Sequence, residues 1–245
     1  MTPRLTDVKA RKDRLLNLAI NHYIGTMAPV SSKTIVREFS LDLSSATVRN
    51  IFAELEEEGF LTHPHTSAGR VPTQKGYRYY VDNFLTEMGL LDEEKQKIKE
   101  EYSQEKKELD VLLEKTSKVL SDMTNCTSIV SIDGQGNKMF CQGTNFIVGY
   151  SEYQDLNKIR CILKTLDDKE RLLKIINREL AKRIEVFIGQ EMPCQDINIC
   201  SLVVSGYKTK HGASGRIAIL GPTRMNYRRV VSTLDYFSEL MEEIV

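Results

Sequence analysis

Three helical patterns closed by a short hairpin, one long polar helical stretch, and a final run of alternating apolar strands and amphipathic helices predict a multidomain α+β protein. The expected boundaries are residues 1–88, 89–125 and 126–245. A chain of 245 residues suits two modules with real hydrophobic cores, at a prior of roughly 150 residues per domain. Apolar residues make up 41% of the chain and charged residues 28%. That is the balance of an ordinary globular protein and excludes wholesale disorder and collagen-like or mucin-like chains.

Charge, cysteines and the N-terminus narrow the class further. The 34 Lys and Arg balance the 34 Asp and Glu, so a surface for a polyanion has to be local. The five cysteines, Cys126, Cys141, Cys161, Cys194 and Cys200, are odd in number, dispersed and never spaced C-x-x-C. They read as reduced core thiols rather than a metal or redox site. No run of about 18 apolar residues occurs, and the charged start from Met1 to Arg14 lacks the apolar stretch of a signal peptide. A cytoplasmic protein with no membrane partner is expected.

In the first module Leu15, Leu16, Leu18, Ala19, Tyr23 and Ile24 recur at helical spacing, with Gly25 as the expected stop. Pro29 fixes the entry of a second, shorter helix, Ser31 or Ser32 caps it, and Ile35, Val36 and Phe39 form its apolar face. Ser40–Leu43 make a tight connection. Ser44 then opens a third helix in which Ala46, Val48, Ile51, Phe52 and Leu55 repeat up to Gly59. Phe60-Leu61, a polar loop from Thr62 to Arg70, and Val71-Pro72 read as a hairpin, and Thr73 opens a fourth helix. Three helices with a four-residue turn before the last, followed by a hairpin, predict a winged helix-turn-helix.

That arrangement places the candidate DNA-binding residues. A recognition helix presents short polar and basic side chains from its first turns, because those turns enter the major groove. Ser44, Ser45, Thr47, Arg49 and Asn50 cluster there, and Glu54, Glu56, Glu57 and Glu58 follow on turns expected to face away from DNA. Arg49 is suited to guanine and Asn50 to adenine. From Thr62 to Tyr80 there is no acid, only His63, His65, Arg70, Lys75 and Arg78 among the ionisable cations. With Thr66 and Ser67 these are candidate phosphate contacts. His63-Pro64-His65 has no neighbouring thiol or carboxylate to complete a zinc site. Tyr77, Tyr79 and Tyr80 interleave with Arg78, and at least one is expected in the core.

Residues 90–124 read as a single long helix. Ile98, Tyr102, Leu109, Leu112, Val119 and Met123 step by threes and fours, with polar Glu105 and Thr116 interrupting the series. This is the seam of a homodimeric coiled coil or, alternatively, the face of a helix packed on its own C-terminal domain. Beyond Cys126, strands are expected at Ser128–Ile132, Asn145–Val148, Ile184–Ile188, Ile199–Val204 and Arg216–Leu220, with helices near 155–166, 168–182 and 226–244. His211–Gly215 reads as a hairpin turn between the last two strands.

No catalytic constellation emerges. Asp167-Asp168 reads as a helix cap, Gly134-x-Gly136 lacks the rest of a dinucleotide fingerprint, and Gly221-Pro-Thr-Arg224 reads as a strand-to-helix turn with the outline of an anion cradle. No cofactor or metal is expected.

The stretches Leu41-Asp-Leu-Ser-Ser-Ala-Thr-Val-Arg-Asn50, Ala53-Glu-Leu-Glu-Glu-Glu-Gly-Phe-Leu61, Pro64-His-Thr-Ser-Ala-Gly-Arg-Val-Pro72 and Lys75-Gly-Tyr-Arg-Tyr-Tyr-Val-Asp82 resemble the DNA-binding signature of the HrcA family, bacterial repressors of heat-shock chaperone genes. Ile188-Gly-Gln-Glu191 and Gly221-Pro-Thr-Arg-Met-Asn-Tyr227 resemble that family's late motifs. The resemblance implies a homodimeric repressor, an inverted-repeat operator in double-stranded DNA, a GAF-like C-terminal domain, and the GroEL chaperonin as a partner that keeps the repressor active. Typical members carry further strands and an inserted dimerisation segment where this chain passes from the long helix to Ser131–Gly136 and Phe140, so the chain reads as internally shortened. A winged-helix regulator whose C-terminal domain senses a small metabolite is the alternative from another class, and a nucleotide-processing enzyme a more distant one.

Overall fold

The computed structural model describes residues 5–65, 69–85, 89–103, 108–133, 138–150, 155–210 and 212–244. The chain divides after residue 86 into two compact units.

In the first unit α1 (Leu5–Thr26), α2 (Ser32–Glu38) and α3 (Ser45–Glu57) are followed by the hairpin strands β1 (Leu61–Thr62) and β2 (Val71–Pro72), then by α4 (Gln74–Phe84). The 3.6-residue period puts Leu15, Leu16, Ala19 and Ile20 of α1 on one face, and all are buried with Val48, Phe52 and Leu55 of α3. Side-chain oxygens satisfy the first N–H groups of three helices: Ser31 accepts from Thr34, Ser44 from Thr47 and Thr73 from Gly76. Gly25 does not stop α1. The helix runs to Thr26, and Met27, with φ of 58°, takes the left-handed position that ends it. α3 ends in a Schellman motif, with Phe60 N–H on the Leu55 carbonyl and Gly59 N–H on that of Glu56. Gly59 supplies the positive φ of 77° that this motif needs.

The second unit holds α5 (Asp92–Ser103), α6 (Leu109–Thr124), β3 (Thr127–Ile132), β4 (Lys138–Gln142), α7 (Asn145–Gly149), α8 (Leu156–Asp167), α9 (Lys169–Ile176), β5 (Ile184–Ile188), β6 (Cys200–Lys208), β7 (Ser214–Pro222) and α10 (Tyr227–Ile244). Its strands form an antiparallel sheet of order β4-β3-β7-β6-β5. Alternate residues point to opposite faces. Ile129, Leu202, Val204, Ala218 and Leu220 pack with Ile162, Leu166, Leu172 and Ile176 of α8 and α9. On the other face Ser128 meets Ser117 of α6, and Ser205 meets Ser238 of α10 at 2.8 Å. Burial on both faces explains why β3 is a continuous buried run rather than an alternating one.

Three expectations need correction. The stretch 90–124 is two helices, because Glu108 has extended backbone (ψ 144°). Tyr102 Oη and Thr116 Oγ1 lie 2.8 Å apart, and Lys115 Nζ donates to the Glu101 carbonyl at 2.8 Å, so α5 folds back on α6. Ile98 and Tyr102 are buried in their own unit, Tyr102 edge-on to Phe237. The continuous coiled-coil seam is therefore broken after Tyr102. Secondly, Asn145–Val148 is helical, and the strand beside β3 is Lys138–Gln142; a three-residue apolar run fits a helical turn as well as a strand. Thirdly, the helix expected over 168–182 ends at Ile176, and the chain beyond it is irregular up to β5. Asp168 does cap α9, accepting from Arg171 N–H at 3.1 Å.

Candidate nucleic-acid interface

The start of α3 presents an open polar surface. Ser44, Arg49 and Asn50 are exposed, and Ser45 and Thr47 are half-buried. The buried side of the helix (Val48, Phe52, Leu55) holds it against α1 and α2, and the 100° turn per residue leaves Arg49 and Asn50 outward. Ser44 and Thr47 are already engaged: Ser44 Oγ takes the Thr47 amide at 3.0 Å and lies 2.9 Å from its hydroxyl. Their role is to fix the first turn. Arg49 and Asn50 make no side-chain hydrogen bond or ion pair among the described residues, which leaves both sets of donors available to a ligand.

The hairpin cations are held differently. Arg70 Nε and Nη2 reach Glu56 Oε2 at 3.3 and 3.2 Å, and His63 Nε2 reaches the same oxygen at 3.3 Å. Lys75 Nζ donates to the Glu58 carbonyl at 2.7 Å and lies over the Phe60 ring. Arg78 pairs with Asp82 at 3.3 Å. His65 is exposed. Thr66 and Ser67 lie outside the described residues. Glu54 and Glu58 both hold Lys12 at 2.8 Å, and those hydrogen bonds, Glu54 first, raise its pKa. Glu54, Glu56 and Glu58 thus work as internal anchors. Sequence reasoning missed this because every partner except Asp82 comes from a different element.

The hairpin itself is bound to the rest of the unit. Val30 and Arg70 exchange backbone hydrogen bonds at 2.9 Å in both directions, adding a third segment beside β2. Gly76 is buried where a Cβ would stand 2.3 Å from the Phe60 carbonyl oxygen, so α4 packs backbone to backbone against the start of the hairpin. Tyr77 and Tyr80 are core residues. Tyr80 Oη donates to Asn21 Oδ1 and Tyr79 Oη to Asp13 Oδ1, both at 2.9 Å, and burial is the main cause of the raised Tyr79 pKa.

Taken together, these units define a two-unit α+β protein with an exposed polar helix start braced by a hairpin. A family model for the HrcA protein C-terminal domain matches residues 91–231. Heat-inducible transcription repressors HrcA are similar along almost the whole chain. The protein of Carboxydothermus hydrogenoformans is 26% identical over 336 aligned positions, covering 97% of this chain and 98% of its own. That of Acetivibrio thermocellus is 28% identical, covering 96% and 95%. An alignment of 336 positions is longer than this chain of 245 residues, so the relative carries internal segments with no counterpart here. A crystal structure described as a hypothetical protein shares the fold, with a TM-score of 0.74 at 18% identity over 96% of this chain and 97% of that one. The chain belongs to the HrcA family of heat-inducible transcription repressors. No helix among the described residues is long and apolar enough to cross a membrane.

Proposed function

We propose that the first unit is a winged helix-turn-helix that reads double-stranded DNA with the start of α3, and that two copies of the chain bind an inverted-repeat operator of chaperone genes. One observation carries this reading: Arg49 and Asn50 stand exposed, with no internal partner among the described residues, on a helix start locked by the Ser44–Thr47 cap. A bidentate guanidinium and a carboxamide are the two side chains best matched to guanine and adenine edges. The hairpin with His63, His65, Thr66, Ser67 and Arg70, and Lys75 and Arg78 on α4, form the flanking backbone contacts.

A single such module reads one half-site, so an inverted repeat requires a two-fold protein. The half-buried row Leu112, Val119 and Met123 along one flank of α6, with Leu109 at its start, is the part of the expected seam that its own unit does not bury. The second unit, an antiparallel sheet with helices on both faces, serves as a GAF-like domain that spaces the half-sites. GroEL is its modulating partner, as the family resemblance implies. No catalytic step is assigned.

The test is fluorescence anisotropy with the inverted repeat found upstream of the chaperone genes in the source genome, set against a single half-site and a scrambled duplex. The expected result is two chains per inverted repeat, much weaker binding to the half-site, and a log–log salt slope of about −0.9 for each phosphate neutralised. Equal affinity for all three duplexes overturns the reading. Adding GroEL with ATP is expected to raise the fraction of repressor active in binding, and an unchanged active fraction removes the chaperonin from the account.

A further inference from the structure

On the α8/α9 face of the sheet, the apolar surface is interrupted by Ser131 and Arg216. Ser131 of β3 and Arg216 of β7 are direct antiparallel partners. By alternation they share the face of Ile129 and Ala218. Ser131 is fully buried, and its Oγ, like Arg216 Nε, is buried with no hydrogen-bond partner among the described residues. The guanidinium spends Nη1 on the adjacent Gly215 carbonyl at 3.2 Å, and among the described residues no carboxylate forms an ion pair with it.

The neighbouring strand makes room for this arrangement. Gly206 is the partner of Arg216 on β6, and a Cβ there would stand 3.0 Å from Arg216 Nη1 and 3.9 Å from Leu180 Cδ1. The guanidinium therefore lies over a glycine, beside the segment that follows α9, and it is half-buried rather than sealed. Asp133, two residues beyond Ser131, accepts the Asn177 amide on Oδ1 at 3.1 Å, which ties the end of α9 to this edge of the sheet.

A half-buried guanidinium with no counter-ion among the described residues, on the same sheet face as a buried hydroxyl with no partner among them, is an uncompensated cost in an apolar layer. The ligand chemistry that repays it is an oxyanion, which accepts from the planar guanidinium fork and from a hydroxyl on the same side. We propose that Ser131 and Arg216 form a binding site for the phosphate or carboxylate group of a small molecule, entered between the sheet and the segment after α9. The site depends on neither the DNA reading nor the dimer, and its test uses no DNA.

The experiment is calorimetric titration of the full chain with inorganic phosphate and, separately, with acetate, chloride holding ionic strength constant. Saturable binding of one anion per chain is expected, and the better of the two identifies the head group. Ser131→Ala is expected to weaken it about fivefold, the worth of one neutral hydrogen bond. Arg216→Met should weaken it more than about tenfold. A control variant, Arg171→Met with Lys174→Met, removes two cations of α9, Arg171 being paired with Asp196 at 2.6 Å, and should leave the affinity unchanged. Absence of saturable binding of either anion, or the same Kd in the wild type and in Ser131→Ala, overturns the proposal. Ser131→Ala is a near-isosteric change, so this second outcome is readable even if Arg216→Met does not fold.

Discussion

Arg70 of the hairpin and Glu56 in the last turn of α3 form one ion pair, with two guanidinium nitrogens within 3.3 Å of a single carboxylate oxygen and the Phe52 ring 5.7 Å beneath. The pair fastens the hairpin to the helix it flanks, so one candidate phosphate contact is already held by an internal anion. In the proposed interface a DNA phosphate has to compete with Glu56 for it.

Neutralising that carboxylate should therefore release a charge toward DNA. Glu56→Gln is expected to tighten binding to any duplex several-fold and to make the salt slope more negative by about 0.9, the signature of one further phosphate. Anisotropy titrations across a salt series measure both. An unchanged slope would show that Arg70 stays on the protein side of the interface.

The close approach of α4 to the hairpin at Gly76 sets a sharper stability test. With a Cβ at position 76 falling 2.3 Å from the Phe60 carbonyl oxygen, Gly76→Ala has to push α4 off the hairpin. Overpacking of this kind costs about 1–3 kcal/mol, against the small gain that alanine normally brings to a helix. Urea unfolding of the variant checks the sign; a variant as stable as the wild type would mean that α4 shifts without penalty.

Local features of the fold were legible because local physics made them. The caps Ser44, Thr73 and Asp168, the stop at Gly59 and the apolar spacing of α1 and α3 are decided within a few residues. What stayed hidden depended on distant partners. Nothing near Glu108 announces that the helix breaks there, since α5 turns back to set Tyr102 against Thr116 of α6 and Phe237 of α10. Likewise Arg49 and Arg70 look equivalent as arginines, and only the fold shows that one is exposed and the other pinned by Glu56.

The break at Glu108 separates two kinds of variant along the expected seam. Ile98 is 6% exposed, so Ile98→Ala should destabilise the second unit by about 2–4 kcal/mol while leaving the proposed dimer intact under native conditions. Leu112→Asp and Val119→Asp, on the half-buried flank of α6, should cost less stability and shift sedimentation toward the monomer. If Ile98→Ala dissociates the dimer while the α6 variants do not, the contact lies on α5.

Buried thiols give the second unit a pH dependence of fixed sign. Burial pushes Cys126 and Cys141 up to about 11 from an ordinary value of 9.0. The unfolded chain therefore releases these protons first, and their contribution to stability is complete below pH 9 and lost as pH rises toward 11. The urea midpoint should fall across that window, more shallowly in the Cys126→Ala, Cys141→Ala double variant. Equal slopes in the two proteins would assign the loss to other groups.

The most direct test of the central claim is the ratio of Kd values for the matched operator and its scrambled counterpart, measured by anisotropy for wild type and Arg49→Ala. Arg49 is exposed without an internal partner among the described residues, so its truncation should leave the melting temperature essentially unchanged. The account predicts that operator binding weakens by about 1–3 kcal/mol while scrambled binding changes little, so the ratio collapses. An unchanged ratio, with both duplexes weakened alike or neither affected, would contradict base reading by the start of α3.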